Sequence, residues 1–239
     1  MLLSVSSLVS IEILLEKLLY RFLSHSYCIT LVSEKSLVHQ INSSFVYISP
    51  KENGSLENQL LNVSEMGCSD YIVCLEDPKS FMIAFENVVH MGNTRRSDRK
   101  IIFLPFENNY DTKMKLLEVL TLKETSFVAN LLLILPIDQC GNCDFYDLVT
   151  HKYSGPDAES VQPYFMDQWN SCTLDFLNNT DLFPHDMSNL NGKSLKVACF
   201  TYKPYVLLDI ETSIESRGRD GTEVRIVDEF CRYAFKRFF

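Results

Sequence analysis

The chain has 239 residues, 46 % of them apolar and 22 % charged, which is globular rather than disordered or fibrous composition. Its 22 basic and 31 acidic residues leave a net charge of −9, which argues against a nucleic-acid-binding face. No run approaches the roughly 20 apolar residues that a membrane-spanning helix needs.

Leu2–Val9 reads as a short apolar run without a preceding basic residue, and residues 1–9 are set apart as a signal-peptide remnant. Two readings stay open there: cleavage near Ser10, or a gene start that omits part of the leader. From Ile11 the spacing of Leu14, Leu15, Leu18, Leu19 and Phe22 predicts an amphipathic helix that packs its apolar face.

Short apolar runs then alternate with helical patterns. Cys28–Val32, Phe45–Ile48, Tyr71–Leu75, Ile101–Leu104, Ala129–Leu135 and Phe145–Tyr153 read as strands. Ser55–Met66 reads as a helix, Pro78 opens another that Gly92 caps, and Asp111 caps a third. Arg95–Lys100 reads as a solvated basic turn. Such alternation implies β-α-β units, hence an α/β fold with a parallel or mostly parallel sheet and flanking helices. Residues 10–153 form this amino-terminal domain, and 154–192, poor in periodicity, read as a connecting region. A strand at Leu195–Phe200, a turn and extended chain at Tyr202–Leu208, a polar loop at Ile210–Asp220 and a helix from Thr222 follow. Residues 193–239 read as the opening β-α of a second, incomplete domain.

Asn42, Asn53, Asn62 and Asn178 head N-glycosylation sequons, and three of these lie between residues 42 and 62. They favour the secretory pathway. Cys140-Gly-Asn-Cys143 has the spacing of a thiol–disulfide oxidoreductase, but Asp138 and Asp144 would raise the thiol pKa, and no helix pattern follows. A local disulfide or plain loop thiols fit better, with redox catalysis a third-ranked function. The five histidines are scattered, and the sequence has no H-E-x-x-H, G-x-S-x-G or G-x-G-x-x-G motif. Neither an enzyme, nor a cofactor, nor a metal site is expected.

The specific signal lies further on. Leu182-Phe-Pro-His185, Asn189-Leu-Asn-Gly-Lys-Ser-Leu-Lys-Val-Ala198, Lys203-Pro-Tyr205 and Asp220-Gly-Thr-Glu223 with its helix follow one another in order. This succession resembles the start of the ligand-binding domain in the ionotropic glutamate receptor superfamily, most nearly the insect chemosensory ionotropic receptors. Upstream, Tyr146–Gly155 and Trp169-Asn170 are similar to the amino-terminal domain of such receptors. The resemblance implies a periplasmic-binding-protein-like lobe followed by an incomplete first lobe of a bilobal ligand domain. It implies a small-molecule ligand lined by Tyr202, Pro204, Tyr205, Arg219, Asp220 and Gly221, and co-receptor subunits in a hetero-oligomer at the cell membrane. Two departures stand out: Tyr202 replaces an acidic residue and Arg219 an aromatic one, both suited in the family to glutamate. The resemblance also implies that the carboxylate-pairing arginine and the pore lie beyond Phe239. The alternative from another class is a soluble secreted ligand-binding protein or decoy.

Overall fold

A computed structural model describes residues 5–35, 45–50, 54–92, 99–137, 143–155, 162–184, 202, 205–210 and 218–235. The chain divides into two compact units, residues 1–153 with 159–185, and residues 154–158 with 186–239.

The first unit is α/β. Helix α1 (Val5–Phe22) leads into β1 (Ile29–Ser33) and β2 (Phe45–Ile48). Then come α2 (Leu56–Glu65), β3 (Asp70–Cys74), α3 (Pro78–Gly92), β4 (Lys100–Phe103), α4 (Tyr110–Val119), a 3-10 turn (Lys123–Phe127) and β5 (Asn130–Pro136). Strands β6 (Phe145–His151), β7 (Pro163–Asn170) and β8 (Asp175–Phe176) complete one eight-stranded sheet of order β2-β1-β3-β4-β5-β6-β7-β8. The first five strands in that order run parallel, and β6, β7 and β8 are added antiparallel. The mostly parallel sheet with flanking helices agrees with a periplasmic-binding-protein-like lobe.

Every residue of β1, β3 and β5 is buried, because the sheet is covered on both faces. On one face Leu60 and Val63 of α2, Phe81, Met82 and Phe85 of α3, and Leu116 and Val119 of α4 join one cluster with Val32, Tyr71, Phe103 and Leu133. On the other, Leu14, Leu15, Leu18 and Leu19 of α1 join Leu31, Ile72, Ile102, Leu132 and Trp169. Burying each such side chain contributes about 1.5–3 kcal/mol. Two disulfides, Cys28–Cys68 and Cys143–Cys172, close loops with sequence separations of 40 and 29.

Several boundaries differ from expectation. Helix α1 begins at Val5, so the run set apart before Ser10 is continuous with the amphipathic helix over residues 5–9. The cap of α4 is Asn109, not Asp111: its extended backbone lets Oδ1 accept the Thr112 amide at 2.8 Å, while Asp111 sits in the first turn and pairs with Lys115. Gly92 is the last residue of α3. Arg99 is not solvated. It is buried with its guanidinium 4.7 Å from the Phe85 ring centre, and the aromatic face replaces part of its hydration.

The largest correction concerns 154–192, which is not a plain connector. Strands β7 and β8 lie there and extend the sheet. Their pattern is hidden because β7 buries a carboxylate, Asp167, beside Trp169. It also carries an irregularity: Leu148 faces Asp167, yet Val149 faces Phe165. The expected strand at Leu195–Phe200 lies outside the described residues.

Candidate functional site

In the second unit, β9 (Leu207–Ile210) pairs antiparallel with β10 (Gly218–Asp220), and α5 (Thr222–Phe235) follows. Tyr202 and Val206 bridge, with each amide donating to the other's carbonyl at 2.9 Å, and the Tyr205 amide donates to the Tyr202 carbonyl at 2.8 Å. These bonds hold Tyr202 against Tyr205 and Val206. The Tyr202 and Tyr205 rings stack, centres 5.8 Å apart and planes 13° apart, with 61 % and 48 % of each residue exposed.

The segment around Gly221 meets Tyr205. The Glu223 amide donates to the Tyr205 carbonyl at 3.1 Å, so Tyr205 satisfies one of the free donors at the start of α5. Gly221 has φ +115°, and a Cβ there would lie 2.6 Å from the Tyr205 carbonyl carbon. Only glycine fits that conformation and that approach. Tyr202, Tyr205 and Gly221, singled out from the sequence, are therefore brought together. Arg219 and Asp220 are placed by the backbone of β10, opposite Leu208 and Leu207. Pro204 lies outside the described residues. Two adjacent exposed aromatic faces suit an organic cation or a flat ring.

A second concavity belongs to the first unit and was not foreseen. The chain runs from β1 to β2 in one direction along the sheet and from β3 onward in the other. Ligands of open α/β sheets sit beyond the carboxyl ends of the strands at such a reversal. A cleft of about 560 Å³ opens there, lined by Glu34 just after β1, Glu76 and Asp77 just after β3, and Asp111 and Glu118 of α4. Its two cations are paired: Lys79 with Glu118 at 2.7 Å and Lys115 with Asp111 at 2.9 Å. Five carboxylates against two ammonium groups leave a formal charge of 2 − 5 = −3. The acids that directly follow β1 and β3 were the available sequence signal.

Thiol chemistry finds little support. Cys143 is bonded to Cys172, so the C-x-x-C pair does not close on itself. Cys140 lies outside the described residues. Cys74 is buried and free, and burial pushes its pKa up to about 12, which keeps it a protonated, unreactive thiol near neutral pH. Among the described residues, no group of three or more His, Cys, Asp or Glu side chains could hold a metal ion, and no helix is long and apolar enough to cross a membrane. Of the sequon asparagines, Asn62 on α2 and Asn178 after β8 are exposed, while Asn42 and Asn53 lie outside the described residues.

No protein-family model, no curated protein and no solved structure matches this chain.

Proposed function

We propose that this chain is part of the extracellular ligand-sensing region of a ligand-gated cation channel of the ionotropic chemosensory receptor type. It acts without catalysis, in a hetero-oligomer with co-receptor subunits at the cell membrane. The observation that carries the reading is the meeting of two separate motif segments: the Tyr205 carbonyl accepts the Glu223 amide beside Gly221. The α/β first unit and the two disulfides fit an extracellular sensor. Ligand would act by favouring a closed arrangement of the completed binding lobes over an open one, which requires differential affinity for the two.

Extension of the transcript past the Phe239 codon tests this. The expected result is an open frame that encodes a further strand, a carboxylate-pairing arginine and long apolar spans. A stop codon directly after Phe239 overturns the reading. A second test is current recording from cells that express residues 1–239 alone: no agonist-gated current is expected.

The second reading, a soluble secreted ligand-binding protein, is favoured by the acidic cleft at the sheet reversal. It predicts that a small diamine binds the isolated protein by calorimetry, that a dicarboxylate does not, and that Glu76→Gln weakens the diamine.

A further inference from the structure

From the last residue of β8 the chain reads Phe176-Leu177-Asn178-Asn179-Thr180. An aromatic residue thus stands two positions before a sequon asparagine, and threonine two positions after it. Leu177 and Asn178 form a bend, and the residues on either side of the acceptor, Phe176 and Asn179, line one groove. Asn179 then takes a left-handed backbone conformation, φ +58°. The Asn178 side chain is exposed and makes no hydrogen bond among the described residues; only its backbone amide is engaged, to Asp167 at 2.9 Å.

The turn is held from two sides. The Asp167 carboxylate also accepts the Thr180 amide at 2.9 Å, and the Thr180 hydroxyl donates to the Met166 carbonyl at 3.0 Å. From α1, Arg21 reaches the Asn179 side chain and donates to the Asn179 and Thr180 carbonyls at 2.8 and 3.2 Å. Beside this turn, between α1 and β8, lies a groove of about 420 Å³. Phe176 and Asn179 line it, as does Tyr20, which is 86 % exposed. Phe176 itself is seated edge-on against Trp169, ring centres 5.2 Å apart, and the Arg21 guanidinium lies 5.8 Å from its ring centre at one side of the groove. A fixed, partly open aromatic surface next to an unengaged sequon asparagine calls for an occupant attached at that asparagine.

We propose that Asn178 carries an N-linked glycan and that its first N-acetylglucosamine lies in this groove with its apolar face on the Phe176 ring. The sugar is transferred to the nascent chain, before the Thr180 hydroxyl is buried in the turn. The Asn178 Nδ2 attacks C1 of an oligosaccharide linked to a lipid pyrophosphate. The N–C1 bond forms, the C1–O bond to the pyrophosphate breaks, the lipid pyrophosphate leaves, and Nδ2 gives up one proton to the transferring enzyme's base. The axial C–H groups of the sugar then meet the electron-rich ring face, the same geometry by which aromatic surfaces attract positive edges. The glycan becomes a structural part of the α1–β8 contact as well as a solubilising group. The inference needs only passage through the secretory pathway and stands apart from the receptor reading.

The full chain, secreted by cultured eukaryotic cells, provides the test. Peptide mass spectrometry is expected to find Asn178 modified. An endoglycosidase that leaves one N-acetylglucosamine per site allows the trimmed protein to be compared with Asn178→Gln. The single sugar at 178 is expected to raise the melting midpoint by roughly 2–4 °C, the size of one aromatic contact in a chain of this length. Phe176→Leu, which keeps bulk but removes the ring, is expected to cut that gain by at least half. Should Phe176→Leu fail to fold, Tyr20→Ser decides on an exposed position, with a smaller gain again expected. An unmodified Asn178, no gain from the single sugar, or a gain unchanged by every substitution that folds overturns the proposal.

Discussion

Tyr205 and Gly221 are locked to each other: the Tyr205 carbonyl fills the space that any side chain at 221 would need. Gly221 also has φ +115°, outside the range of ordinary L residues, so two independent constraints select glycine there. Gly221→Ala is expected to destabilise the Tyr205 contact and the first turn of α5 by about 1–3 kcal/mol. Hydrogen exchange at the Glu223 amide reads this directly. The expected outcome is faster exchange at Glu223, with protection of the β3 and β5 amides unchanged. Unchanged exchange at Glu223 would show that the Tyr205 contact does not hold the helix start.

Much of the first unit was legible because its physics is local. Runs such as Asn130–Leu135 are buried on both faces, so they read as continuous apolar strands. Helix α2 was legible too, from the spacing of Leu56, Leu60, Leu61 and Val63, though Ser55 lies outside it as the cap that accepts the Asn58 amide. Strand β7 was not legible. Its stability comes from a carboxylate buried under amides that arrive from residues 178 and 180, and no periodicity announces such a contact. Arg99 was misread for the same reason, because its aromatic partners sit on α3 and β3. At the candidate site, sequence pointed to Tyr202, Tyr205 and Gly221, but the acidic cleft needed strand order, which sequence spacing alone did not supply.

Asp167 has no measurable exposure, and its burial by itself would raise its pKa. The amides of Asn178, Thr180 and Gln168 and the Thr180 hydroxyl outweigh that, so its carboxyl titrates below the usual carboxylate range. The unfolded state therefore binds this proton more tightly than the native state. The stabilisation is present above the unfolded value, near 4, and is lost as pH falls through the lower folded value. Asp167→Asn presents an NH2 to donors that need acceptors, and is expected to cost about 1–3 kcal/mol at pH 7. Melting of both proteins between pH 7 and pH 2.5 checks this. The gap between them should narrow below about pH 4; a constant gap would mean that Asp167 acts through shape alone.

The disulfide pairing makes a chemical prediction. Non-reducing peptide maps are expected to show Cys143 joined to Cys172 and Cys28 joined to Cys68. Replacing both Cys143 and Cys172 by alanine should lower stability by about 2–4 kcal/mol, because the cross-link restricts the unfolded chain. Cys140→Ser should leave the Cys143–Cys172 peptide in place. A map that joins Cys140 to Cys143 would refute the pairing and reopen the redox reading.

Arg21 ties α1 to the far edge of the sheet. Its guanidinium donates to the Asn179 and Thr180 carbonyls and lies 4.9 Å from the Phe22 ring centre, on a side chain that remains largely exposed. Arg21→Lys retains the charge but loses the planar fork that serves two carbonyls at once. Arg21→Ala is expected to cost about 1–2 kcal/mol, through the lost charged hydrogen bonds and the lost packing of its stem. Arg21→Lys should recover less than half of that. Denaturant melts of the three proteins decide between fork and charge. Full recovery by lysine would mean that attraction to the carbonyls is enough, and that the two-pronged geometry contributes nothing to holding the β8 turn against α1.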